Sequence, residues 1–252
     1  MTDAFAKKYF DDILIIENNS NDSFTQIVYP ENRVILGCII KNDISEIIND
    51  QLLQLPTFTI DGQLTHHKKY LVSPGNKILL VKFKPYTASL FFPNLHETVN
   101  LTVSLLEFIS TSRYNRLEDA FMNNSNHTSV IVDFLQRHLK SGQADESIIQ
   151  AIKLAAYTKG QMNVNELARC IALSKRSFQR RFKASTGITA KIFLRNIRFQ
   201  HSVNLLQTQQ NLSDITHFSG YYDQPHFIRE FKSITGITPR KYKSEFVTSV
   251  QL

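Results

Sequence analysis

The chain has 252 residues, 42% hydrophobic and 20% charged. This globular composition provides material for two cores and excludes a disordered chain, and no apolar run approaches the ~20 residues of a membrane span. The net charge of +7 is held unevenly: from Ala151 onward 16 Lys and Arg face 5 Asp and Glu, whereas the preceding part has 13 against 17. A positive field confined to one part of the chain is the footprint of a phosphate-binding surface.

The first residues, M-T-D-A-F-A-K-K-Y-F-D-D, carry acidic groups and no apolar core segment. They do not read as a secretory signal, so the cytoplasm is the expected location. Residues 24–28, 33–40, 56–60, 69–72 and 77–83 are rich in β-branched and aromatic side chains. Pro30-Glu31-Asn32, Asp61-Gly62 and Ser73-Pro74-Gly75-Asn76 punctuate them, which predicts strands in a small barrel or sandwich. Periodicity leaves residues 43–55 open between a helix and irregular strand. After Pro85, residues 101–109, 113–122, 129–139 and 146–157 place apolar side chains three and four apart, as helices do, and Asp145 is suited to capping the last. Ser141-Gly142-Gln143 is the expected boundary between a β-rich module with a helical connector (1–140) and a C-terminal domain (144–246). Cys38 in a strand and Cys170 in a helix are expected to be small buried hydrophobes, and two thiols cannot form a Cys-rich zinc site.

The C-terminal part writes one motif twice. S-F-Q-R-R-F-K-A-S-T-G-I-T begins at Ser177 and H-F-I-R-E-F-K-S-I-T-G-I-T at His226, an offset of 49 residues. In each copy two Phe stand at i and i+4 (Phe178 and Phe182; Phe227 and Phe231), giving a helix with one dry stripe and one basic face. Gly187 and Gly236 are expected to end these helices. Upstream, Asn163 and Glu166 have the spacing of a capping box and Ser174 caps the next helix. In the second copy Ser213 opens the first helix and Gly220 makes the turn. Helix, short turn and basic helix form a helix-turn-helix, whose second helix is built to enter a DNA major groove. The units fall at about 163–187 and 213–237, with an apolar-striped linker helix at about 190–208. At 1.5 Å per residue that linker is roughly 27 Å long, suited to holding two recognition helices about one DNA turn, or ~34 Å, apart.

Leu167-Ala168, Leu173-Ser174, F-Q-R-R-F-K and Gly187, then Gly220-Tyr221, Phe227, Phe231-Lys232, Gly236, Thr238-Pro239 and Tyr242, resemble the two halves of the AraC/XylS family of transcription regulators. The G-Y-Y-D-Q-P-H run is similar to one subgroup, and P-E-N-R-V-I-L-G and V-K-F-K-P-Y-T-A-S-L-F-F resemble that subgroup's N-terminal domain. Thr216 and Ala190 depart from the family pattern, which usually has a packed Ala and a helix-initiating Pro there. The resemblance implies an α+β chain: an N-terminal β-rich barrel or sandwich, then an all-α domain with two helix-turn-helix motifs joined by a linker helix.

With the Phe pairs inward, Lys175, Arg176, Gln179, Arg180 and Lys183 of the first recognition helix face outward, as do Gln224, His226, Arg229 and Lys232 of the second. Arg is suited to guanine and Gln to adenine in the major groove. The resemblance points to Arg176, Gln179 and Arg180 in particular. Arg195, Arg198, Arg240, Lys241 and Lys243 are expected at phosphates or as plain surface. Expected partners are double-stranded DNA, RNA polymerase, a small-molecule effector of the N-terminal module and a second copy of the chain, with no membrane. Activation of transcription is the expected role; a DNA-binding architectural protein without effector input is the alternative. Catalysis is not expected: the sequence has no nucleophile elbow, P-loop or dinucleotide fingerprint, and its eight histidines form no H-x-H or H-x-x-x-H pair. No cofactor or metal is expected.

Overall fold

A computed structural model describes residues 2–140, 142–208 and 211–249. The chain begins with α1 (Thr2–Tyr9) and enters a run of strands: β1 (Phe10–Glu17), β2 (Phe24–Val28), β3 (Ile35–Lys41), β4 (Ile44–Ile48), β5 (Gln51–Gln54), β6 (Phe58–Asp61), β7 (Lys68–Val72) and β8 (Lys77–Phe83). A last strand, β9 (Thr102–Ser104), follows two 3-10 turns. They form two antiparallel sheets, of order β1-β8-β3-β6-β9 and β2-β7-β4-β5. The period-2 alternation of the strands gives the larger sheet two different faces. Leu36, Cys38, Phe58, Ile60, Leu79 and Val81 turn to one face and are buried with α1, α2 (Thr111–Met122) and α3 (His127–His138). Ile35, Thr59, Asp61, Ile78 and Leu80 turn to the other, toward the smaller sheet.

Pairing decides two segments that local period did not. Residues 43–55, open between helix and irregular strand, are strand: β4 and β5 pair antiparallel around Asn49 and Asp50, both in the left-handed region (φ 49° and 60°). That is the two-residue hairpin turn matching strand twist, and Asn and Asp tolerate it best among residues with side chains. Residues 101–109, expected to be a helix, form β9 and a 3-10 turn. The edge of β6 recruits the segment, pairing Asp61 with Thr102 and Thr59 with Ser104. Long-range pairing here overrides the local period. β1, not anticipated, pairs with β8 along its length.

The C-terminal helices are α4 (Glu146–Tyr157), α5 (Val164–Cys170), α6 (Lys175–Thr186), α7 (Ala190–Leu206), α8 (Leu212–Phe218), α9 (Gln224–Thr235) and α10 (Pro239–Ser249). Asp145 caps α4, accepting from the Ser147 N–H at 3.1 Å. Of the expected boundary, Ser141 lies outside the described residues. The 17-residue α7 serves two cores: Phe193 and Leu194 pack with α4, α5 and α6, and Phe199 and Leu206 pack with α8 and α9. Among the described residues no helix is long and apolar enough to cross a membrane.

Candidate nucleic-acid interface

Each repeat is fixed by local chemistry. Asn163 and Glu166 complete a capping box on α5, with Asn163 Oδ1 accepting from Glu166 N at 3.1 Å and Glu166 Oε2 from Asn163 N at 2.8 Å. Ser174 caps α6 and Asp223 caps α9, whose Pro225 lies in the first turn. In the second repeat the cap differs from expectation: Asn211, not Ser213, opens α8, its side chain accepting from Asp214 N at 2.9 Å. The amide oxygen is placed for the N3 donor, and Ser213 lies two positions further on, already the second residue of the helix. Gly187 and Gly236 end α6 and α9 at φ 84° and 79°, where a side chain is costly.

The Phe pairs anchor both recognition helices. Phe178 and Phe182 meet edge to face at 5.4 Å between centroids, and Phe227 and Phe231 at 5.7 Å, all essentially without solvent contact. Each such burial contributes about 1.5–3 kcal/mol. The departures at Thr216 and Ala190 are absorbed: the buried Thr216 donates its hydroxyl to Leu212 O at 2.8 Å, and Ala190 is buried as the first residue of α7 behind the Thr189 cap.

On the opposite faces Lys175, Arg176, Gln179, Arg180 and Lys183 of α6 are exposed, and so are Gln224, His226, Arg229 and Lys232 of α9. His226 shares its position with an intramolecular neighbour, Glu230, at 3.9 Å. Tyr222, one residue before the α9 cap and within the G-Y-Y-D-Q-P-H run, is 95% exposed, which residue type alone does not signal. Arg195 and Arg198 correct an expectation. They are not plain surface: both turn to Glu230 of α9, at 4.0 and 3.6 Å, and Arg198 also donates to Gly160 O at 3.0 Å. Cys170 is also corrected. It is exposed, because it ends a seven-residue helix whose buried face is carried by Leu167 and Ala168, whereas Cys38 is fully buried.

A feature absent from the sequence expectation joins the two halves. The stretch after β6, residues 62–67, runs along α7 and reaches the C-terminal ends of both recognition helices. Gln63 Nε2 donates to Thr186 O of α6 at 3.1 Å, and His67 N donates to Ile234 O of α9 at 2.8 Å. The His67 ring adds a second donor to that carbonyl through Nδ1 at 3.0 Å. Between them, buried Asn196 of α7 donates to Leu64 O and to Asn32 Oδ1, each at 2.9 Å, and Asn32 donates to Phe193 O at 2.9 Å. Buried amides with well-placed partners fix one docking geometry.

Beside this strap lies a cavity of 170 Å³ between the two sheets, lined by Ile35, Ile78 and Leu80 on one side and by Val28, Ile44 and Val72 on the other. Leu64 and Tyr29 close the end toward α7. Tyr29 lies 5.9 Å from Phe199 and 5.8 Å from Tyr242 between ring centroids, and burial pushes its hydroxyl up to about 12. Among the described residues no group of three or more His, Cys, Asp and Glu is arranged to hold a metal ion.

Residues 167–245 match the helix-turn-helix domain family. The transcriptional activator RhaR of Yersinia pseudotuberculosis is 35% identical over 78 residues, 31% of this chain and 27% of RhaR. The Msm operon regulatory protein of Streptococcus mutans is 24% identical over 121 residues, 46% of this chain and 44% of that protein. The chain thus spans about a quarter of the length of RhaR. Among solved structures, ToxT from Vibrio cholerae aligns over 92% of this chain and 98% of its own, at 11% identity and a TM-score of 0.49. The DNA-binding domain of AdpA, solved with a target DNA, covers 41% of this chain and 95% of its own, at 22% identity and a TM-score of 0.39. The matched segment takes in most of the first capped helix-turn-helix unit and all of the second, so this part of the chain carries a helix-turn-helix domain similar to those of these transcription regulators.

Proposed function

We propose that the chain is a sequence-specific DNA-binding regulator of transcription that inserts α6 and α9 into two successive major grooves. The observation that carries this reading is the repetition itself: two equally capped helices, each with its Phe pair buried and its basic and amide side chains outward. Arg176, Gln179 and Arg180 read base edges from α6, with Lys175 and Lys183 beside them, and Gln224, His226, Arg229 and Lys232 act from α9. Tyr222 joins this surface through its exposure. At about 1.5 Å per residue the 17-residue α7 between the repeats is about 26 Å long, of the same order as the ~34 Å that separates successive major grooves on one face.

The working division is a regulatory module over 1–140 and a DNA-binding domain over 144–246. The module senses a small molecule in the cavity between its sheets. The loops that close this cavity, through Asn32 and Leu64, also carry the bonds to α7. A ligand that binds one docking of the halves better than another shifts the DNA-competent population by its differential affinity. The role is activation, with RNA polymerase as the protein partner, and a second copy of the chain binds through the N-terminal module.

Footprinting on genomic fragments recovered with the protein tests the two-groove reading. Protection over about 17 to 20 base pairs, in two major-groove segments on one face, is the expected result. A single protected groove, or opposite faces, would overturn it. An architectural role takes the place of sensing if operator affinity is the same for the full chain and for a fragment starting near Ala144, with no metabolite altering either.

A further inference from the structure

The cavity has one chemically distinct wall. Asp61, at the end of β6, lies deep among protein atoms yet keeps accessible surface, which faces the cavity. Its Oδ1 accepts from Thr102 Oγ1 at 2.7 Å and from the Tyr70 hydroxyl at 3.0 Å. Behind Thr102 stands Lys68, donating to its hydroxyl at 2.8 Å, but the Lys68 ammonium is already paired with Glu46 at 2.7 Å. Asp61 Oδ2 has no hydrogen-bond partner among the described residues. Burial, the largest influence, holds the carboxyl above its usual range against the pull of the two hydroxyls and Lys68, and a further donor would join the side that favours the carboxylate.

The remaining lining narrows the chemistry. Arg33 is the cation at the cavity, and it is engaged by Asp11 at 2.8 Å and by Glu31 at 3.7 Å, leaving no counterion for an acid. A cavity of about 150 Å³ with aliphatic walls takes a molecule the size of benzene, so the 170 Å³ here suits about six to ten non-hydrogen atoms. A sugar would bury more hydroxyls than the few accessible polar atoms of this mostly apolar lining can answer, and a long acyl chain exceeds the space.

We propose that the cavity binds a ring-sized, largely apolar molecule whose single polar group is an N–H donor, which it gives to Asp61 Oδ2. This rests on the sensor reading above and adds the class of ligand. A neutral ring N–H and a protonated amine share the chemistry, and the probes separate them.

Calorimetry and thermal unfolding of the full chain, with indole, benzylamine, indene and benzoate as probes, test it. Indole or benzylamine should bind at least tenfold tighter than indene, which has the indole shape without the donor, and benzoate should bind worst. Asp61→Asn, which turns an amide N–H toward the ligand, should remove the indole preference while leaving indene binding in place. Ile78→Phe, which fills the cavity from β8, should abolish binding of every probe and preserve the far-ultraviolet spectrum. Equal binding of indole and indene, or preference for benzoate, overturns the donor assignment and leaves the cavity as the ligand site. Failure of every probe to bind, or binding undiminished by Ile78→Phe, overturns the proposal altogether. A probe that binds as expected but leaves DNA affinity unchanged sinks only the sensing role.

Discussion

Arg181 and Glu230 occupy the same position in the two repeats and carry opposite charges, each answered by the helix beneath it. Arg181 grips Asp145 at the start of α4 with two bonds of 2.6 Å, and Glu230 is answered by Arg195 and Arg198 of α7. The repeat therefore preserves an anchoring position while inverting its sign. Replacing Glu230 by Ala would leave two half-buried guanidinium groups side by side without their carboxylate. Urea unfolding should show a loss of about 1–2 kcal/mol, and unchanged stability would mean that these pairs contribute nothing.

The Asp145 pair also predicts a pH dependence. The hydrogen bonds from Arg181 hold the Asp145 carboxyl below its usual range. A folded value below the unfolded one gives stabilisation that is complete above the unfolded value of about 4 and is lost as the pH falls through the folded value. Stability of the wild type and of Asp145→Asn, measured from pH 7 down to pH 3, should therefore converge at the acidic end. Curves that stay parallel would rule out the linkage.

Base reading and phosphate contact should separate by mutation. Arg180→Ala or Arg229→Ala is expected to cost about 1–3 kcal/mol of operator binding and to relax specificity in one half of the site. Arg240→Ala should weaken all sequences alike and flatten the salt dependence. Binding selections with randomised half-sites give the measurement; retained specificity in Arg180→Ala would assign the wrong face of α6.

Asn196→Ala removes the donor shared by Asn32 and Leu64 and leaves both acceptors buried. The expected loss is about 1–3 kcal/mol of stability. Any effect of a cavity ligand on DNA affinity should shrink with it, which titration of operator with and without ligand would reveal. Full coupling in this variant would show that the strap does not carry the signal.

The two thiols should react at different rates. Cys170 is exposed and Cys38 is buried, with burial pushing its thiol up. A disulfide reagent should modify one cysteine promptly in the native protein and the second only on unfolding. Cys170→Ser should abolish the fast phase.

Much of the C-terminal part is legible in the sequence because its determinants are local. A cap three residues before a glutamate, two Phe one turn apart and a glycine after the last turn each act within a few residues, and the duplication lets one copy check the other. The N-terminal strands 24–28 and 77–83 are legible from side-chain type and turn punctuation. What escaped depends on distant partners. β9 exists because the edge of β6 is open to it, and the inward turn of Arg195 and Arg198 needs Glu230, more than thirty residues away in sequence. Gln63, Asn32 and Asn196 are scattered polar residues in the sequence, and their roles appear only when three loops and a helix meet.

The path of residues 62–67 sets the unit in which such a protein can be recombined. A graft that exchanged the β-rich module for another, cut at the natural-looking break before Ala144, would bring a foreign stretch against the α7 face formed by Phe193, Asn196 and Gln200, which here bonds to Asn32, Leu64 and Pro30. The two helix-turn-helix units would then remain linked to each other but would lose their bonded contact with the β-rich module. A working chimera must carry that face of α7 with the sheets, so the inherited module is discontinuous along the chain although it is contiguous in space.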